Sequence, residues 1–161
     1  RKLNPMAEVP VLVDGGEVLS QSGLILHHIA DRTGKLGGVS EAERRGIWRW
    51  ILWGNHKLST QVGTCRFLMN FLPVEKRPEG VVPFLQGRLK AAYQVLDGHL
   101  QGRDWIVGQG PTIADLGGLS CAAHRRAVRD EPGRARQFRR ALFRRAASDP
   151  CHWSRNPSLD R

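Results

Sequence analysis

No apolar run in this chain approaches the roughly 18 residues of a membrane-spanning helix. A secretory leader is missing too, because the start, Arg1-Lys2-Leu3-Asn4-Pro5, has no apolar stretch behind it. No initiator Met stands in front, which predicts a fragment. Cysteine is scarce. Cys65, Cys121 and Cys151 are odd in number, far apart and without any C-x-x-C pair, so neither a disulfide framework nor a cysteine zinc site is expected. The default compartment is a reducing cytoplasm, with no membrane partner. His27 and His28 stand side by side, so on a helix they point about 100° apart. A helical metal pair needs i, i+4 spacing. No metal is expected, and the two histidines read as structural or exposed. No internal repeat is apparent.

What is present suffices for folding. The 161 residues are 40% hydrophobic, enough for one sizeable domain or two small ones. The net charge of +10 is unevenly spread. Residues 125–161 hold 11 Arg and no Lys against 4 acids, and so carry +7 of it. The basic character belongs to this tail and not to the body.

Val9 to Asp14 is a short apolar run with Pro10 near its start, where a strand tolerates proline. Asp14-Gly15-Gly16 supplies a hairpin turn, and Glu17-Val18-Leu19-Ser20 is the return strand. A helix follows, capped by Ser20 or Ser22, with Leu24, Ile25, Ile29 and Ala30 as its apolar stripe and Thr33-Gly34 as its end. Ser40, with Glu43 three places on, opens a longer helix. Its Ile47, Ile51, Leu58, Val62, Cys65 and Leu68 keep helical spacing, and Gly54-Asn55 is the point where it kinks or divides. Pro73 and Pro78 bracket a loop, Val82 to Leu100 is amphipathic, and Thr112-Ile113-Ala114-Asp115 is a capping-box pattern. Strand, strand, helix and then helices only is the order of an α/β unit followed by an all-α unit.

Two places offer backbone groups to a ligand. A cis bond at Val9-Pro10 would turn the Val9 N–H and C=O outward, free to pair with an extended peptide. Taken alone, an ordinary trans proline at a strand edge is the commoner outcome. The helix start at Gln21-Ser22 favours a carboxylate through free N–H groups and the helix dipole, with simple capping as the bland alternative.

Taken together, Asn4-Pro5, Val9-Pro10, Gln21-Ser22, Asp104-Trp105 and Thr112 to Asp115 resemble, in order and spacing, the cytosolic glutathione S-transferase family over roughly residues 3–124. The resemblance implies a partial thioredoxin-like domain at 1–36, consisting of the strand hairpin and helix. A linker at 37–39 and an all-α C-terminal domain at 40–124 would follow. It implies that Val9 pairs through its backbone with the cysteinyl part of glutathione beside a cis Pro10, and that Gln21 and Ser22 hold the γ-glutamyl end. Thr112 and Asp115 would cap a core helix. Trp48, Trp50 and Trp53 would lie on the helix bordering the electrophile pocket and the dimer contact, with core packing as the alternative for each. The implied co-substrate is glutathione, the implied partner a small electrophile, and the implied assembly a homodimer.

The resemblance has gaps. The strand-helix-strand that opens such a domain, and the Ser, Cys or Tyr on it that favours the glutathione thiolate, have no match here. The expectation is therefore an N-terminally truncated chain, impaired in transfer, with an unknown catalytic residue. Glu8 departs from the pattern by placing negative charge near an anionic ligand. After about residue 124 the apolar helix gives way to the Arg-rich stretch 125–161, which reads as disordered or out of frame. Two other functions stay open: a non-catalytic transferase-like interaction domain, and phosphate contacts by the Arg tail. Nucleic acid is not the expected partner, since an Arg run is more often a solvated segment.

Overall fold

The computed structural model describes residues 3–117. Expectations placed on the Arg-rich tail and on the frame change before it lie outside these residues. Strand β1 (Val11–Asp14) pairs antiparallel with β2 (Glu17–Ser20), Val11 opposite Ser20 and Asp14 opposite Glu17. Gly15 and Gly16 form the turn with φ of 58° and 89°. Two successive positive φ values match the right-handed strand twist, and glycine adopts them without penalty.

Helix α1 (Ser22–Thr33) packs on this hairpin and ends at Gly34 in the left-handed conformation. Asp14, at the end of β1, ties the two together. Its carboxylate accepts from Arg32 and lies 2.7 Å from His28 Nε2. His28 and Arg32 are one helical turn apart, so both reach the same face. Arg32 holds the Asp14 carboxyl below the ordinary carboxylate range, and His28 adds to the effect.

Helix α2 (Glu41–Gly54) begins as its sequence predicts. The Ser40 hydroxyl accepts from the Glu43 N–H at 3.1 Å. The Glu43 carboxylate reaches back to the Val39 N–H at 2.7 Å, one residue before the cap. Glu41 and Glu43 also place negative charge at the positive end of the helix. The expected division at Gly54-Asn55 takes a different form. Backbone geometry stays helical there, and a π turn (Asn55–Ser59) carries the chain into α3 (Thr60–Asn70). Gly54 is buried with right-handed φ and ψ, and the Asn55 N–H still bonds the Ile51 and Leu52 carbonyls, so the glycine does not break the helix.

Arg77 closes the end of α3 by donating to the Met69 and Leu72 carbonyls, both at 2.9 Å. These acceptors would otherwise be unpaired at a helix terminus. Helix α4 (Val81–His99) runs back along α3, and the short α5 (Ile113–Leu116) completes the described chain. The core is helical. Ile47, Ile51, Leu58, Val62, Leu89, Tyr93, Leu96 and Ile113 form one buried cluster that Ala30 of α1 joins. Cys65 belongs to it.

Candidate functional site

The loop before β1 is built on Asn4, which is buried although polar. Its side-chain amide donates to the Glu8 carbonyl at 2.8 Å, its Oδ1 accepts from the Met6 N–H at 3.0 Å, and its own carbonyl accepts from the Ala7 N–H at 3.0 Å. The side chain and backbone of one residue thus fix a five-residue loop, a bond pattern typical of asparagine in turns. Ala7 takes a positive φ of 57° within this turn. The chain leaves it through Val9-Pro10, whose peptide bond is cis and whose Val9 is 91% exposed.

Opposite stands the start of α1. The sequence suggests Ser20 or Ser22 as its cap, and neither serves. Gln21 occupies the cap position with φ of 72° and no side-chain capping bond, and Ser22 is the first residue of the helix. The tight return from β2 requires this left-handed residue immediately before the helix, which displaces serine from the capping place. Among the described residues, no side chain caps the first turn of α1, and Gln21 and Ser22 are exposed. The Gln21 amide donates to Glu8 Oε2 at 3.3 Å. Glu8 therefore joins the two sequence-predicted places, Val9-Pro10 and Gln21-Ser22, into one surface.

Gly23 is a site residue that pattern reading overlooks. It is buried behind Ser22, and a Cβ there would stand 2.7 Å from Ile51 Cγ2 of α2. Only glycine lets the start of α1 sit this close to α2. The available signal is a lone glycine at the head of an apolar helix, which marks close packing as often as flexibility.

The three tryptophans do not converge on one pocket. Trp48 meets His27 of α1 edge-on, ring centres 4.7 Å apart. Trp50 lies edge-on to Trp53 at 5.0 Å and tilted over His99 at 4.3 Å, packed against the core. Trp50 and Trp53 share a void of about 10 Å³ with Leu58 and Leu96, room for a water at most. His27 and His28 each have a structural partner, Trp48 and Asp14 respectively.

Thr112 and Asp115 form the capping box that their spacing predicts. Asp115 Oδ2 accepts from the Thr112 N–H at 2.9 Å and hydroxyl at 3.1 Å, while Oδ1 accepts from the Ile106 N–H at 3.1 Å. The pair therefore locks the 106–112 loop onto α5 and supplies no group to the surface near Gln21. Among the described residues, no cluster of three or more His, Cys, Asp or Glu is placed to hold a metal, and no helix is long and apolar enough to cross a membrane.

Comparison with known proteins gives these features a context. The family described as "Glutathione S-transferase, N-terminal domain" matches residues 1–31. A glutathione S-transferase (GST-4.5) of Xanthomonas campestris is 33% identical over 121 residues, 71% of this chain and 57% of that protein. The chain thus spans little more than half the length of the curated relatives it matches. The crystal structure of a glutathione S-transferase from Xanthobacter autotrophicus superposes with a TM-score of 0.70 at 30% identity, over 99% of this chain and 77% of that one. A Burkholderia graminis glutathione transferase, solved with two glutathione molecules bound per subunit, superposes with a TM-score of 0.68 at 25% identity, over 93% of this chain and 70% of that one. The fold is accordingly a thioredoxin-like hairpin and helix followed by a helical domain.

Proposed function

We propose that this chain, which belongs to the glutathione S-transferase family, binds glutathione on the surface joining Val9-Pro10 to Gln21-Ser22. The observation that carries the reading is the juxtaposition of an exposed backbone bend with an uncapped helix start, linked through Glu8. The Val9 backbone would pair with the cysteinyl residue as an added strand would. The first-turn N–H groups of α1, with the Ser22 hydroxyl and Gln21 amide, would hold the γ-glutamyl carboxylate, where the helix dipole favours negative charge. In the whole protein the bound thiolate would attack a small electrophile or reduce a disulfide or peroxide. Trp48 to Trp53 would border that step or a homodimer contact, and the setting would be the cytoplasm. No residue of this chain is assigned to thiolate activation, so the chain expressed alone is read as a glutathione binder with little conjugating activity.

Calorimetric titration of the chain with glutathione tests this. Ser22→Ala removes one hydrogen bond to a charged group, about 1.5–3 kcal/mol, and should weaken binding roughly tenfold or more. Glutathione affinity equal in the wild type and the variant, or no binding at all, would remove the assignment.

A further inference from the structure

We propose that the cleft between the 34–39 linker, the start of α2 and the 107–112 loop is a second binding site, for a small linear aliphatic amine carried as its ammonium. The cleft measures about 300 Å³, at the small end of ligand sites. Its walls are pinned. The Leu36 carbonyl accepts from the Ile113 N–H at 2.9 Å, which ties the linker to α5. Val107 packs on α2 at Gly46, where an added Cβ would stand 3.3 Å from Val107 Cγ1. A site already fixed by folding costs little to order on binding.

Three observations set the ligand chemistry. The first is charge. Among the described residues that line the cleft, Glu43 alone is charged. Its Oε2 accepts from the Val39 N–H at 2.7 Å, whereas Oε1 has no hydrogen-bond partner and the carboxylate no ion pair among the described residues. Oε1 lies so near Gly108 that an added Cβ there would stand 2.7 Å from it. Lys35 and Arg44 are exposed and do not line the cleft. The dipole of α2 offsets about half a unit charge, so this wall stays negative. The second is a set of open acceptors. The carbonyls of Gly37, Gly38, Gly108 and Gly110, all in the lining, accept no hydrogen bond from the described residues. They can receive the remaining N–H groups of a primary ammonium, which has three donors. The third is the apolar part. Leu36, Val39, Val107 and Pro111 offer surface to an alkyl chain, and no aromatic ring lines the cleft. A quaternary ammonium relies on aromatic faces, so the donor-bearing primary ammonium is the better fit. None of these residues belongs to the Val9-Pro10 and Gln21-Ser22 surface, so this site is independent of glutathione.

Titration of the isotope-labelled full chain with hexylammonium chloride, followed by amide NMR, tests the site. The amide signals of Gly37, Gly38, Gly108 and Gly110 read it out. Expected are saturable shifts of these signals with one dissociation constant and no displacement by glutathione. Hexanol and tetramethylammonium, at the same concentration, should leave the signals in place. Glu43→Gln keeps an acceptor for the Val39 N–H and removes the charge, and should bind hexylammonium about fivefold to tenfold more weakly. Should Glu43→Gln unfold, the comparison of hexylammonium with hexanol in the wild type carries the test. Unchanged affinity in the folded variant overturns the proposal. So do equal shifts with hexanol, displacement by glutathione, or shifts confined to residues outside the cleft.

Discussion

Replacing Gly23 by alanine should destabilise the protein, although the same change elsewhere in its helices should stabilise it. A methyl group at Gly23 would sit 2.7 Å from Ile51 Cγ2, whereas carbon atoms pack at about 3.5–4.0 Å. Relief therefore needs a separation of about 1 Å. Ile51 is 1% exposed and β-branched, so its Cγ2 has little freedom to swing away. The start of α1 must move, and overpacking of this kind costs about 1–3 kcal/mol. Against it stands the helix-forming advantage of alanine, at most about 1 kcal/mol. The net loss is up to about 2 kcal/mol, and each kcal/mol lowers the melting temperature by about 2–4 °C in a chain of this length. Gly63 in α3 is the control. It is exposed with nothing within 4 Å of the added carbon, so Gly63→Ala should gain about 0.5–1 kcal/mol. Urea unfolding followed by tryptophan fluorescence and circular dichroism separates the two. A Gly23→Ala midpoint at or above that of the wild type refutes the packing argument. The variant should also bind glutathione more weakly, because Gln21 and Ser22 move with the helix start.

Glu8→Ala should tighten glutathione binding about twofold to fivefold, by freeing the Gln21 amide and removing a negative charge beside an anionic ligand; weaker binding in calorimetry would instead make Glu8 a supporting residue. Asp115→Ala leaves the Ile106 and Thr112 N–H groups without their acceptor, at about 1–3 kcal/mol each, so a loss of about 2–6 kcal/mol is expected in urea unfolding. A loss under about 1 kcal/mol would contradict the structural role given to this box. Asp14 supplies a pH signature. Its carboxyl is held below the usual 3.8, by Arg32 first and His28 second, so the unfolded chain takes up this proton at a higher pH than the native one. The stabilisation is complete above about pH 4 and is lost as the pH falls through the lowered native value. The melting-temperature gap between wild type and Asp14→Asn should therefore narrow on acidification from about pH 5 to about pH 2; a constant gap would show that Asp14 acts through packing alone.

The parts of this fold that were legible in its sequence are those whose cause is local. Asp14-Gly15-Gly16 predicts the hairpin because few other residues accept two successive positive φ values. Ser40 with Glu43, and Thr112 with Asp115, predict their helix starts because a cap needs its partner three residues away. Features that depend on a distant neighbour were not legible. Gly54 looks like a break, yet it is buried in a continuous helix that changes to a π turn behind it. Ser22 looks like a cap, yet the geometry of the β2 return gives that place to Gln21. The anchoring of the hairpin by Arg32 and His28 spans 18 and 14 residues, and no local pattern announces it.

The same division explains why the residues around a site can matter more than those named for it. Val9, Pro10, Gln21 and Ser22 are exposed, and each by itself is an ordinary loop or helix-start residue. Their relative positions are fixed by residues that no ligand would touch. Asn4 folds the loop through three hydrogen bonds, Asp14 holds α1 to the hairpin, and Gly23 lets α1 approach α2. Substituting an exposed contact residue should weaken binding and leave the unfolding midpoint near that of the wild type. Substituting a positioning residue should lower both, because the ordering cost of the site is met by the folding of its surroundings. Asn4→Ala separates these cases. It should lower the midpoint and weaken glutathione binding together, whereas Ser22→Ala should weaken binding alone. If Asn4→Ala left glutathione affinity unchanged, the 4–8 loop would not position the site, and binding would rest on the helix start.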